Sequence, residues 1–306
     1  MGHPERGLKW HPSGVTFLPS ADGVQIALHE LAGESGADHP VVLFAHATGF
    51  HARAYLPVAR ALAPGFHSFG ADLRGHGEST IEPGWDVDWW RYGDDALAAA
   101  QQVAGEPGAA EGIVAFGHSM GGTALLMAAR AAPALFRLLV LFEPIIIPTD
   151  RPEGERPQST LPAGSRRRRE TFPSVDAAID NFASKPPMQM FDPDALDAYV
   201  RYGFAADAGT GGVRLKCDRE HEARTFEQGA QHRAWDDLPA IDVSAVVVAG
   251  VVEGLQPAFF ARGIADRLPN GRYVELPELD HFAPMTHPRR VAELIADYVA
   301  ELDDMT

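Results

Sequence analysis

Cysteine is almost absent: Cys217 stands alone in 306 residues, so no internal disulfide can form and nothing calls for an oxidising compartment. Basic charge is short as well. Lys and Arg number 26 against 42 Asp and Glu, a formal net charge of −16, which argues against a nucleic-acid partner, whose binding face should meet a basic footprint. Long apolar runs are missing too; none approaches the ~18 residues that suggest a membrane-spanning helix. The opening Met1-Gly2-His3-Pro4-Glu5-Arg6 leads into no long apolar segment, which speaks against a secretory signal. No nucleotide-binding glycine loop, internal repeat or low-complexity linker occurs. The expectation is a cytoplasmic protein with a small-molecule partner, no membrane, no cofactor and no metal; homodimerisation is left open.

Apolar residues make up 45% and charged residues 22% of the chain, an ordinary balance for a globular protein. Two hairpin-like strands, Val15–Leu18 and Val24–Leu31, flank the turn Ala21-Asp22-Gly23. Val41–Ala45 is continuously apolar, as in a strand buried on both faces. A helix-like Ala52–Ala63, a strand Phe66–Ala71, a helix Asp86–Val103 and strands Ile113–Phe116 and Leu138–Phe142 follow. Residues 148–239 break this rhythm with many prolines and short helical pieces but no strong sheet signal. The alternation resumes with Val243–Ala249, a helix Pro257–Arg267, a strand Arg272–Leu276 and a last helix from Pro288. Alternating strands and helices imply an α/β fold with a mostly parallel central sheet and helices on both faces. Residues 1–147 and 240–306 form its core. The intervening 148–239 are too many for a plain loop and should form a separate, mainly helical layer.

The centre of the chain's chemistry is Gly117-His118-Ser119-Met120-Gly121-Gly122. It sits between an apolar strand and an Ala/Leu-rich helix, the context in which Gly-x-Ser-x-Gly holds a serine on a strained turn. Ser119 is the predicted nucleophile, with the Met120 amide at the helix N-terminus facing a developing oxyanion. A second amide should come from the loop after Val41–Ala45; Thr48 is preferred, with Ala47 close behind. His46 reads as a structural hydrogen-bonder. The base is predicted to be His281, in the loop after the Arg272–Leu276 strand, where strand-end loops gather at one edge of a parallel sheet. Two carboxylates fit the order serine, acid, histidine. Glu143 interrupts the apolar Leu138–Pro148 stretch, so it should be buried and need a cationic partner. Glu253 lies beside Gly254 and Gln256, where water could satisfy it. Glu143 is favoured, and Glu253 stays open.

With His46-Ala47-Thr48-Gly49-Phe50, Asp72-Leu73-Arg74-Gly75-His76-Gly77-Glu78-Ser79, the Ser119 motif and Asp280-His281-Phe282 in hand, the chain resembles an α/β-hydrolase-fold enzyme with an inserted cap. Most such enzymes carry the acid after the seventh strand, the Glu253 position. Others, haloalkane dehalogenases and zearalenone lactone hydrolases among them, carry a glutamate after the sixth. Phe142-Glu143-Pro144, 24 residues beyond Ser119, is similar to that second pattern. Ala47 and Asp280 replace glycines usual at those positions. The resemblance implies a serine hydrolase of an apolar ester or lactone, using Ser119, His281 and Glu143. A carbon–carbon bond hydrolase with the same residues, or a slow-turnover small-molecule receptor, are the alternatives.

Other signals take plainer readings. Arg166–Arg169 is expected as a solvated patch, His221 with Asp218, Glu220 and Glu222 as a polar network, and Trp85, Trp89 and Trp90 as helix packing. Met188, Met190, Phe191 and Tyr199 are the residues of the inserted layer expected at the pocket.

Overall fold

Apolar runs bounded by turn residues become strands of one sheet. In the computed structural model, which describes residues 14–82, 84–149, 160–252 and 256–305, the chain opens with β1 (Val15–Pro19), β2 (Gln25–Ala32) and β3 (Val41–Ala45). Helix α1 (Leu56–Leu62), β4 (His67–Asp72), α2 (Trp89–Val103), β5 (Ile113–His118), α3 (Met120–Ala131) and β6 (Phe136–Phe142) follow. The inserted segment carries α4 (Leu161–Arg167), β7 (Thr171–Phe172), α5 (Val175–Ala183), α6 (Pro193–Gly203), β8 (Phe204–Asp207), β9 (Gly212–Leu215), α7 (Arg219–Gln228) and α8 (Ala234–Asp237). The core closes with β10 (Ala245–Ala249), α9 (Pro257–Arg267), β11 (Gly271–Glu275), α10 (Ala283–Thr286) and α11 (Pro288–Met305).

The eight core strands lie in the order β1-β2-β4-β3-β5-β6-β10-β11. The β1–β2 and β2–β4 pairs are antiparallel; from β4 to β11 all neighbours are parallel. The central strands β3, β4, β5, β6 and β10 are buried on both faces, and successive side chains alternate between two cores. Val41, Leu43 and Ala45 of β3 belong to the core that α2, α3 and α9 cover, whereas Val42 and Phe44 belong to the core that α1 and α11 cover. After β3 the chain moves to one side for β4 and to the other for β5. That reversal makes a crevice at the carboxyl ends of β3 and β5.

Two expectations need correction. Helix α2 begins at Trp89 rather than Asp86, because the Asp88 carboxylate accepts the Trp90 amide at 3.0 Å and caps it. The inserted segment contains a three-stranded antiparallel sheet, β7-β9-β8, where the sequence showed no strong sheet signal. Strands of two and four residues are too short to leave a clear period of two. Ser174 and Asp192 cap α5 and α6 as expected, with Pro193 in the first turn of α6. Among the described residues no helix is long and apolar enough to cross a membrane.

The Asp72–Ser79 motif proves to be architectural. Asp72 is buried at the end of β4, where Oδ1 accepts the Ala52 amide at 2.7 Å and Oδ2 accepts the Glu78 amide at 2.8 Å. Arg74 and Asp95 are both fully buried and form a two-pronged pair, Nη2–Oδ1 at 2.7 Å and Nε–Oδ2 at 2.9 Å. A buried pair gains little over an apolar one, but removing one partner strands a charge. Arg74→Met should therefore cost about 3–5 kcal/mol in urea unfolding, and Arg74→Met combined with Asp95→Leu should recover much of the loss. A cost below about 1 kcal/mol for the single change, the level of an exposed pair, would show that water reaches Asp95.

Candidate active site

Ser119 caps α3 immediately after β5, with φ 55° and ψ −116°. A β-carbon is costly in this left-handed region, so the turn must be held from outside. Its amide donates to Phe142 O at 2.9 Å, and its carbonyl accepts the Gly122 and Thr123 amides at 3.1 and 3.3 Å. Gly121 is needed for close approach, since a β-carbon there would lie 2.1 Å from Ala45 O. The elbow thus packs directly on the end of β3.

Glu143 follows β6 in the same backbone region, φ 47°; Asp22, Ser119 and Glu143 are the non-glycine residues with positive φ among those described. Its side chain is 2% exposed and both oxygens are occupied. Oε2 lies 2.5 Å from His281 Nδ1, and Oε1 accepts the Gly250 amide at 2.8 Å. With Nδ1–H donated to a carboxylate, Nε2 is the free nitrogen of the imidazole. Glu253 lies outside the described residues. The loop after β10 meets the histidine's partner through the backbone of Gly250.

Near the end of β3, the two amide candidates differ. The Ala47 N–H donates to Tyr55 Oη at 3.1 Å. The Thr48 amide has no hydrogen-bond acceptor among the described residues, and Thr48 Oγ1 donates to Met120 Sδ at 3.4 Å. Met120 is buried under the turn; its amide opens α3 and has no acceptor within the helix. Tyr55 Oη also lies 2.8 Å from His118 Nδ1, and His118 Nε2 lies 2.8 Å from the carbonyl oxygen of His281. Only one proton arrangement satisfies this chain: the Ala47 amide donates to Tyr55, Tyr55 to His118 Nδ1, and His118 Nε2–H to His281 O. Sequence reading passed over His118 and Tyr55; the sole available signal was His118's place beside Ser119.

These histidines are held neutral. Burial, reinforced by His281, pushes His118 well below the usual imidazole range. Burial, with His76 beside it, lowers His46 to about 3. His46 is the hydrogen-bonder expected, donating to Ala47 O at 2.8 Å and accepting the Leu73 amide at 2.9 Å.

Ser119, His281, Thr48 and Ala47 line one cavity of about 540 Å3, roofed by the inserted segment. A larger, more open groove of about 930 Å3, between α1 and α11, touches none of them. Of the residues expected from the inserted segment, Met188 and Tyr199 reach the cavity. Phe191 instead packs behind it on Phe50 and Phe282, and Met190 points outward, 66% exposed. In the arginine run Arg166, Arg167 and Arg169 are exposed, as a solvated patch requires, and Arg168 is partly buried. Arg166 pairs at the surface with Glu220 and Glu227, while Arg167, Arg168 and Arg169 line the cavity. The run's sequence alone could not reveal that Arg168, just past the end of α4, is the one that turns onto the buried Glu222. Trp89 is buried and donates Nε1–H to Thr225 O at 3.1 Å. Asp218 caps α7, Glu222 pairs with Arg168, and His221 packs on His76.

The sequence profile of the Alpha/beta hydrolase family matches residues 42–294. No curated protein matches the sequence significantly. Among solved structures, E-2-(acetamidomethylene)succinate hydrolase superposes with a TM-score of 0.73 at 20% identity, covering 94% of this chain and 99% of that one. The enol-lactonase from Burkholderia xenovorans gives 0.66 at 18% identity, covering 93% and 100%. A thermophilic esterase from Thermogutta terrifontis gives 0.64 at 20%, covering 94% and 99%. At such identities the likeness is one of fold.

The buried imidazoles imply an acid-sensitive fold. Burial is the first cause that lowers His46 and His221 to about 3 and His51 and His232 to about 4. Unfolded histidine binds its proton near pH 6.5. The unfolded chain therefore takes up protons that the folded one refuses, and stability present above about pH 6.5 falls as pH drops toward 4. Each histidine contributes a slope of up to about 1.4 kcal/mol per pH unit. Urea midpoints should decline steeply from pH 7 to pH 5 in this protein; a flat profile would mean that the imidazoles are solvated.

Proposed function

The chain belongs to the alpha/beta hydrolase family, and on that premise we propose that it is a serine hydrolase cleaving an ester or lactone beneath a cap formed by residues 148–239. The observation that carries this reading is the 2.5 Å contact of His281 Nδ1 with the buried Glu143, in a loop that shares its cavity with Ser119. His281 Nε2 takes the Ser119 proton as Oγ attacks the acyl carbon, and Glu143 balances the imidazolium. The carbonyl oxygen becomes an oxyanion facing the Thr48 and Met120 amides. Collapse breaks the acyl C–O bond, and His281 passes its proton to the departing alkoxide. Water then attacks the acyl-enzyme, giving one proton to His281; the acid leaves and Ser119 recovers its hydrogen.

Phe50, Phe182, Met188, Phe226 and Phe282 on the cavity wall suit an apolar substrate body. Solved structures of the same fold include an esterase and an enol-lactonase, which supports the ester or lactone assignment.

Ser119→Ala should abolish covalent labelling by a fluorophosphonate and lower ester turnover by about three or more powers of ten. Near-normal hydrolysis by this variant would remove Ser119 as nucleophile. Labelling with negligible steady-state turnover of every ester tried would favour a slow-turnover receptor instead. Glu143→Gln should keep the fold yet cut kcat by about 10^3–10^4-fold, since an amide neither stabilises an imidazolium nor fixes its tautomer. A mild loss would move the acid elsewhere, Glu253 being the candidate.

A further inference from the structure

The cavity over Ser119 is positively charged inside a strongly acidic protein. Among the described residues four cationic ones border it: Arg167, Arg169 and Lys185, all exposed, and the partly buried Arg168. The wall carries one carboxylate among the described residues, Glu222, which is 7% exposed at its side chain and is engaged by Arg168 Nη1. Arg168 Nη2 donates to Tyr199 Oη at 2.6 Å, and Tyr199 donates in turn to Gly49 O at 3.3 Å. Arg168 is thus neutralised and committed to holding the roof against the loop that contains Thr48.

The other three have no acidic partner among the described residues. Arg169 donates Nε–H to Thr171 O at 2.9 Å and lies over the Phe172 ring at 4.4 Å. Lys185 donates to Asn181 Oδ1 at 2.7 Å. Arg167 makes no ion pair among the described residues. Most other described cations are matched, as Arg74 is with Asp95, Arg137 with Glu111, Arg214 with Glu170 and Lys216 with Glu78. Of the exceptions, Arg53, Arg262 and Arg267 lie over aromatic rings away from this cavity. A chain with 42 acidic and 26 basic residues has carboxylates to spare, so three unmatched cations converging on one cavity mark a binding preference. Like charges held together repel, and an anionic ligand relieves that repulsion; guanidinium forks also match a carboxylate's two oxygens.

We propose that the substrate cleaved at Ser119 carries a free carboxylate, gripped by Arg167, Arg169 and Lys185, as in the half-ester of a dicarboxylic acid or a carboxylated lactone. This rests on the hydrolase reading above and narrows its substrate to an apolar body with one anionic group. The positive wall raises the local concentration of such substrates and turns the ester toward Ser119.

The test compares kcat/KM for mono-para-nitrophenyl glutarate, which is anionic, with para-nitrophenyl pentanoate, its neutral counterpart of equal chain length. The wild-type ratio should exceed about tenfold in favour of the anion and shrink as salt approaches about 1 M, where the screening length is ~3 Å. The combined Arg167→Gln, Arg169→Gln and Lys185→Gln variant, checked by circular dichroism, should lower that ratio at least tenfold. Arg166→Gln, whose partners are Glu220 and Glu227, should leave the ratio where it was. A preference for the neutral ester, or a ratio unmoved in the triple variant, overturns the proposal. Should neither ester be hydrolysed, the hydrolase reading fails by itself, and calorimetric titration of glutarate into the intact protein decides the anion site. Binding lost in the triple variant supports it; no binding to wild type ends it.

Discussion

One carboxylate with both oxygens occupied ties three strand-end loops together. Glu143 leaves β6, His281 belongs to the loop after β11, and β10 runs between them. Neighbouring strands are ~4.8 Å apart, so residues two strands away lie ~10 Å from each other. A glutamate spans that gap only by passing over the end of β10. There it collects the Gly250 amide at 2.8 Å on the way to His281 Nδ1 at 2.5 Å. A side chain at 250 would block the route, because a β-carbon there would lie 2.5 Å from Leu279 O and 3.1 Å from Glu143 Oε1. The left-handed backbone at Glu143 is the cost of turning the side chain into this path, and the two hydrogen bonds offset it.

Polarity around this carboxylate is arranged in layers. At the ends of β3 and β5 lie uncharged donors and acceptors, with His46, Tyr55 and His118 fixed by bonds on both sides and kept neutral by burial. A charged imidazole among them would compete with His281 for Glu143 and repel an imidazolium. Charge is concentrated instead in the roof, where Arg168, Glu222 and Tyr199 lock the inserted segment to the Gly49 carbonyl. Roof and floor are therefore linked through the same loop that offers the Thr48 amide.

Chain order and burial carried much of the reading. Uniformly apolar runs such as Val41–Ala45 can only be strands covered on both faces, and their alternation with helices dictates a parallel sheet. A glutamate flanked by Phe142 and Pro144 signalled a buried charge in need of a partner. The small β7-β9-β8 sheet escaped because its strands are shorter than any periodicity can register. The arginine run was legible as charge but not as direction. Three residues, across the end of α4, separate Arg166, paired outward with Glu220, from Arg169, on the cavity wall.

By itself the sequence determined what is local or periodic: the layered α/β architecture, the strand–elbow–helix around Ser119, the caps at Ser174 and Asp192, and the excess of acid over base. Only the tertiary structure decided what depends on residues distant in the chain. It paired His281 with Glu143 across 138 positions, occupied the Ala47 amide with Tyr55, and set Arg167, Arg169 and Lys185 at the border of the cavity that Ser119 lines. The physical reason is that such contacts are set by strand order and by the direction of side chains at element ends, and neither leaves a pattern in neighbouring residues.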